Sequence, residues 1–261
     1  MNIGFIGTGH MAGSILKALS NNKNYKFFIN DIDINKANDI KMNISNEVVI
    51  CNIEEIFINS SFVFLGVKPK DLTQLLNECK DYINDNNILI SMVAGFNINE
   101  IIKIVGNKKI IRIMPNTPVI ISKGITFCTY NNVSSNDRKL FNELMNYTGK
   151  LYEIDENKMD VVSVLTGSTP AYLDYFIDSL SEFGKELGFS KEESIDYVLQ
   201  MALGTVLLNM NSNKTPKQLG DEVCSPGGST IEGVKVLLDK GLYEIVKEAA
   251  YASYNKNKKM Y

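Results

Sequence analysis

The chain has 261 residues, 44% hydrophobic and 22% charged, with 27 Lys plus Arg against 30 Asp plus Glu for a net charge of -3. That balance excludes a wholly disordered chain and leaves no basic footprint for nucleic acid. The length suits one large domain or two modest ones.

Along the first 155 or so residues, short apolar runs alternate with polar, periodic stretches. Asn2–Ile6, Lys26–Asn30, Glu47–Ile50, Phe62–Val67, Ile88–Val93 and Lys109–Ile113 read as strands. Met11–Leu19, Ile32–Met42 and Leu72–Tyr82 read as helices between them, a βαβ pattern that calls for a parallel sheet. Thr126–Tyr130 and Lys150–Ile154 read as two more strands flanking a helix at Asp137–Tyr147.

Four loops of this half carry chemistry. Gly7-Thr8-Gly9-His10-Met11-Ala12 matches G-x-G-x-x-G/A between the first strand and the first helix. Gly7 permits the turn, Gly9 lets a pyrophosphate approach the backbone, and Ala12 lets helix and strand pack closely. The free amides of the helix N-terminus would receive the phosphates, with His10 as a hydrogen-bonding loop residue. Asp31 closes the second strand, where a carboxylate binds the ribose 2′-hydroxyl of NAD; the other reading makes Asp31 or Asp33 a turn residue or helix cap. Gly66-Val67-Lys68-Pro69 follows the fourth strand. Lys68 there is either a cation near phosphate or nicotinamide, or a solvated lysine before a helix-starting proline. Arg112-Ile113-Met114-Pro115-Asn116-Thr117-Pro118 makes a rigid loop at the same sheet edge, and structure alone would account for it.

From Lys158 onward no strand is expected. Asp160–Leu187 is one long apolar periodic stretch interrupted by Pro170. Ser190 and Glu193 form a capping box for a helix to about Met210, and Thr215-Pro216 opens another. Ser229 and Glu232 form a further capping box for a helix to about Leu238; Leu242–Tyr254 follows, and a lysine-rich tail ends the chain. The domains divide near Glu156, into 1–156 and 157–261. Helices such as Val198–Leu208 are apolar on more than one face, which calls for a partner subunit or for tight mutual packing. Ahead of Ser229 stands Cys224-Ser225-Pro226-Gly227-Gly228. Two glycines, several hydroxyls and a helix start form an anion site suited to a small carboxylate, against the simpler reading of a helix–helix turn.

Residue counts narrow the chemistry. With His10 as the single histidine, clustered-histidine metal catalysis is excluded and no metal site is expected. Cys51, Cys79, Cys128 and Cys224 form no Cys-x-x-Cys pair, which points to a reducing, cytoplasmic location. No apolar run approaches the ~20 residues of a membrane span, and the first residues carry no signal-peptide pattern.

Together these segments resemble pyrroline-5-carboxylate reductase. The resemblance covers essentially the whole chain: Gly4–Ala12, Phe64–Pro69, Val93–Phe96, Arg112–Val119, Leu165–Tyr172 and Asp221–Val234. The last segment is specific to that family; the first is shared by most Rossmann enzymes. It implies an α/β N-terminal Rossmann domain, with a mainly parallel doubly wound sheet, and an all-α C-terminal dimerisation domain. Helices of two subunits would interleave at the active site, and larger assemblies of dimers are common in the family. The implied reaction is hydride transfer from NAD(P)H to pyrroline-5-carboxylate, giving L-proline as the last step of proline biosynthesis.

By position, the resemblance assigns cofactor contacts to Ile6, Gly7, Thr8, Gly9, His10, Met11, Asp31, Asn52, Gly66, Val67, Lys68, Pro69, Val93, Ala94 and Gly95. It assigns the substrate carboxylate and ring nitrogen to the loop with Ser225, Ser229 and Thr230. For that reaction, backbone amides near Gly228–Thr230 are expected to clamp the carboxylate, and the Thr230 hydroxyl on the ring nitrogen is the expected catalytic group. The family mostly uses NADPH, whereas Asp31 leans toward NADH. Thr169 stands where the family has a second glycine, and Asn213-Lys214-Thr215 where it carries a histidine and often an acid.

Two rival functions are weaker. A 3-hydroxyacid dehydrogenase of the 6-phosphogluconate type would want a lysine with asparagine four residues on in the first long helix; Asp160–Leu187 offers only Lys185, with Phe189 at that spacing. A non-catalytic dinucleotide-binding scaffold would not need the hydroxyls of Ser225–Thr230.

Overall fold

All eight apolar runs are strands in the computed structural model, which describes residues 1–258. They are β1 (Asn2–Ile6), β2 (Lys26–Asn30), β3 (Val48–Ile50), β4 (Phe62–Leu65), β5 (Ile88–Ser91), β6 (Lys109–Pro115), β7 (Gly124–Asn131) and β8 (Gly149–Glu153). One sheet holds them in the order β3-β2-β1-β4-β5-β6-β7-β8. Neighbours run parallel except β6 and β7. Only a 3-10 turn at Thr117–Ile121 separates β6 from β7, too little chain for the crossover a parallel pair requires.

Helices α1 (His10–Leu19), α2 (Ile34–Asn43), α3 (Ile53–Asn59), α4 (Pro69–Cys79), α5 (Ile98–Val105) and α6 (Ser135–Met145) cover the sheet. The period of two along each strand separates two cores. Phe5, Phe27, Phe62 and Phe64 pack with Ile15, Leu16 and Phe141 on one face. Val63, Leu65 and Leu89 pack with Ile56, Leu72 and Ile101 on the other. Buried on both faces, β4 is apolar at every position, as a central parallel strand must be. Phe5 stacks on Phe64 with ring centroids 4.7 Å apart.

The strands β4 and β5 end two residues short of the expected limits, so Gly66, Val67, Met92 and Val93 belong to loops. Helix α2 begins two residues late, because Asp33 caps it by accepting from the Asn35 amide at 3.1 Å.

From Met159 to Lys258 every element is helical: α7 (Met159–Val162), a π-helical segment Ser163–Ser168, α8 (Thr169–Glu186), α9 (Lys191–Met210), α10 (Pro216–Val223), α11 (Ser229–Asp239) and α12 (Leu242–Lys258). The interruption expected at Pro170 is therefore a widened turn. Proline donates no amide hydrogen to the carbonyl four residues back, so the ladder shifts its spacing just before it. Ser190 forms its capping box with Glu193, and Thr215 forms one with Gln218. The expected box at Ser229 does not form. Gly228 is the N-cap, and Ser229 is already the first helical residue, which puts Glu232 out of register. The lysine-rich end beyond Lys258 lies outside the described residues.

The described residues divide into two compact units: Met1–Gly167 with Tyr254–Lys258, and Ser168–Ser253. In the second, α8 and α9 approach closely enough that a Cβ on Gly184 would lie 2.5 Å from the Ser194 hydroxyl oxygen. This unit exposes many large apolar side chains, including Tyr175, Phe183, Leu203, Leu207 and Leu208. Among the described residues no helix is long and apolar enough to cross a membrane.

Candidate nucleotide and substrate sites

In the first unit the sheet reverses its winding between β1 and β4, and ligands of open α/β sheets bind at such a point, beyond the strands' carboxyl ends. Two loops meet there. The Gly7 amide donates to the Asn30 carbonyl at 2.7 Å, and the Gly66 amide to the Ile6 carbonyl at 2.8 Å. Gly7 has φ +84°, a left-handed conformation that favours glycine. A Cβ on Gly66 would lie 2.5 Å from the Ala12 Cβ and 2.6 Å from the Gly7 carbonyl oxygen. Gly7, Ala12 and Gly66 are thus small because they pack on one another.

Gly9 has a different reason. A Cβ there would meet nothing closer than 3.9 Å, so this chain's own packing does not demand the glycine. Gly9 is the N-cap of α1, with no side-chain cap hydrogen bond to the first-turn amides. Open space above uncapped amides fits a dinucleotide pyrophosphate. Buried Thr8 lies in this loop; His10 is exposed as the first residue of α1, and its carbonyl accepts from the Ser14 hydroxyl at 2.7 Å.

Asp31 faces that loop. Its Oδ2 accepts from the Thr8 amide at 2.6 Å and from the Thr8 hydroxyl at 2.7 Å, while Oδ1 accepts from the Asp33 amide at 2.9 Å. Partial burial pushes this carboxyl up, but the Thr8 and Asp33 hydrogen bonds, with Lys36 nearby, outweigh it and hold it below the usual range. Of the two readings left open, Asp33 takes the helix cap and Asp31 belongs to the loop. Asn52 caps α3: its Oδ1 accepts from the Glu55 amide at 2.9 Å, completing a capping box. Beside it, burial pushes the Cys51 thiol up to about 11, so it is no nucleophile near neutral pH. Lys68 is exposed at the N-cap of α4, one residue before Pro69.

Val93, Ala94 and Gly95 form the loop after β5, with Val93 buried and Gly95 at φ +95°. The sheet thus brings Ile6 to Met11, Asp31, Asn52, Gly66 to Pro69 and Val93 to Gly95 to the carboxyl ends of β1 to β5. Residue reading missed the tie behind this edge: buried Arg112 is ion-paired to Glu156 at 3.0 Å. The available signal was an arginine inside an apolar strand, which demands a carboxylate.

In the second unit, Ser225 to Gly228 form a turn in which the Gly228 amide donates to the Ser225 carbonyl at 2.9 Å. Gly227 has φ +74°, and Gly228 is the N-cap of α11 with no side-chain cap. Ser229 and Thr230 stand exposed in the uncapped first turn. Thr169 is the first residue of α8, and Thr215 is occupied as the cap of α10.

Comparison with known proteins places this geometry. Residues 156–260 match the family model for pyrroline-5-carboxylate reductase dimerisation, and residues 2–95 match that for coenzyme F420-dependent NADP oxidoreductases. The pyrroline-5-carboxylate reductase of Aquifex aeolicus is 35% identical over 265 residues, spanning 100% of this chain and 97% of the relative. That of Arabidopsis thaliana is 30% identical, spanning 92% and 88%. The crystal structure of Plasmodium falciparum pyrroline carboxylate reductase with NADP bound has TM-score 0.90 and 32% identity, covering 100% of this chain and 98% of that one. The full-length likeness, together with the nucleotide cradle and the glycine-capped loop before α11, makes this chain a member of the pyrroline-5-carboxylate reductase family.

Proposed function

We propose that this chain reduces L-1-pyrroline-5-carboxylate to L-proline with NAD(P)H, the closing step of proline biosynthesis. One observation carries the reading: α1 and α11 both begin at a glycine N-cap with no side-chain cap hydrogen bond. The first suits a pyrophosphate, the second a small carboxylate.

The work divides near Glu156, with 1–156 holding the nucleotide and 157–261 holding substrate and partner subunit. The nucleotide, when bound, supplies the hydride. Ile6 to Met11 would hold its phosphates, Asp31 and Asn52 its adenosine side, and Gly66 to Pro69 with Val93 to Gly95 its nicotinamide side. Amides at Gly228 to Thr230 grip the substrate carboxylate, with the Ser225 and Ser229 hydroxyls beside them. The Thr230 hydroxyl holds the ring nitrogen and its proton. A cyclic imine protonates near neutral pH, so the chain need not supply a strong acid; orientation and the anion site provide the catalysis.

Asp31, ionised and fixed on the Thr8 loop, repels a 2′-phosphate and accepts from a 2′-hydroxyl, so NADH serves at least as well as NADPH. The C-terminal helices make a homodimer, the unit from which any larger assembly is built. Four unpaired cysteines suit a reducing cytoplasm. The test is substrate-dependent oxidation of NADH or NADPH with L-proline as product.

A further inference from the structure

We propose that Glu156 is a positioning residue for nucleotide binding, tying the loop after β5 to the strand β6 through a single carboxylate oxygen. The proposal rests on the reading of the first unit as the nucleotide domain. Glu156 Oε1 accepts from Arg112 Nη1 at 3.0 Å and from the backbone amide of Ile98 at 2.8 Å. Ile98 is the first residue of α5, so this bond fixes the point where the loop Met92–Asn97 enters its helix. The other end of the loop is held through the same arginine's neighbour. Arg112 pairs with Ser91 across β5 and β6, and the Ser91 hydroxyl accepts from the Val93 amide at 3.4 Å. The four residues Ala94 to Asn97 lie between these ties, and Val93 to Gly95 are the segment assigned to the nicotinamide side.

Energetics argue that stability is not the reason for this pair. Arg112 is 5% exposed, and Glu156 reaches it from far along the chain. Burying Arg112 and partly burying Glu156 costs desolvation that their attraction roughly offsets, and an apolar pair of the same volume commonly packs as well or better. An apolar pair would, however, leave the Ile98 amide without its acceptor. Two neighbouring amides at this end of α5 are already served by the Asn97–Glu100 capping box, with the Glu100 amide donating to Asn97 Oδ1 at 3.0 Å and the Asn97 amide to Glu100 Oε2 at 2.8 Å. Glu156 adds the amide of Ile98, the residue next to the loop. A cleft lined by Gly95, Asn97, Arg112 and Glu156 lies beside the loop, so packing alone does not pin the segment.

Two variants separate positioning from folding. Glu156→Gln keeps an acceptor oxygen for both donors; Arg112→Met with Glu156→Leu replaces the pair with apolar bulk and leaves the amide free. Nucleotide Kd is read by calorimetry, beside melting temperature and steady-state constants. The double variant is expected to melt near the wild type, to bind NADH and NADPH about tenfold more weakly, and to keep its KM for the imine within about twofold. Glu156→Gln is expected to stay within about threefold of the wild type in Kd. A folded double variant with unchanged Kd overturns the proposal, as does Glu156→Gln weakened as much as the double variant. Amide exchange at residues 92–98 of the wild type needs no variant. It is expected to slow on addition of nucleotide, and an unchanged rate also overturns the proposal. A wild type that binds nucleotide but does not reduce the imine removes the proposed reaction and leaves the Glu156 assignment standing.

Discussion

Asp31 holds Thr8 twice: one carboxylate oxygen takes both the backbone amide at 2.6 Å and the hydroxyl at 2.7 Å. The end of β2 is thereby locked to the Gly7–Gly9 loop, with the Asp31 carboxyl held below its ordinary pKa. Oδ1 accepts from the Asp33 amide and keeps capacity for one more donor, such as a ribose hydroxyl.

The proposed place of Asp31 beside the ribose makes that carboxylate the determinant of nucleotide choice. The wild type is expected to use NADH at least as well as NADPH. Asp31→Ser should move the ratio of kcat/KM toward NADPH by about tenfold, since a like-charge contact, partly screened, costs on the order of 1–2 kcal/mol. Steady-state constants for both nucleotides decide it. A wild type preferring NADPH by about tenfold, with no change in the variant, would show that Asp31 does not read the ribose.

The cradle at Gly66 is expected to tolerate no side chain. An added Cβ would sit 2.5 Å from Ala12 Cβ and 2.6 Å from the Gly7 carbonyl, and neither neighbour is the flexible end of a long chain. Gly66→Ala should lower stability by about 1–3 kcal/mol and weaken nucleotide binding together. Thermal melting and calorimetry check both, and wild-type values in each would refute the packing argument.

Thr230→Ala should lower turnover on pyrroline-5-carboxylate by about ten- to a hundredfold, the worth of a hydrogen bond felt mainly in the transition state. Nucleotide Kd should stay near the wild-type value, because the residue lies in the first turn of α11 and not in the glycine loop of α1. Unchanged kcat/KM would remove Thr230 from the reaction.

The exposed apolar faces of the C-terminal helices predict a dimer at micromolar concentration. Leu203 and Leu207 lie one turn apart on α9, 55% and 48% exposed in the single chain. Replacing both with glutamate should yield monomers by sedimentation and remove most activity. A wild type that sediments as a fully active monomer would contradict the assignment of these faces.

Much of this was readable from residue patterns because the strands are uncompromising. The period-two burial of Phe5, Phe62 and Phe64 against Ile6, Val63 and Leu65 requires two covered faces, and helices between parallel strands supply them. Local chemistry was harder where two rules compete for one residue. Ser229 and Glu232 have capping-box spacing, yet the Gly227 turn hands the cap to Gly228. Asn52 carries a family assignment to the nucleotide, while its side-chain oxygen caps α3. The π-helical segment before Pro170 leaves only the proline as a trace, since a missing amide hydrogen announces a break without its form. Glu156 looked like a boundary residue because its partners Ile98 and Arg112 are far away in sequence, and no local periodicity records such a tie.

Mixing the purified protein with pyrroline-5-carboxylate and NADH or NADPH, following nucleotide oxidation and identifying the product, tests the proposed reduction. Imine-dependent oxidation is expected, with L-proline formed in equal amount and the rate sharply reduced in Thr230→Ala. Nucleotide binding without any imine-dependent oxidation would contradict it.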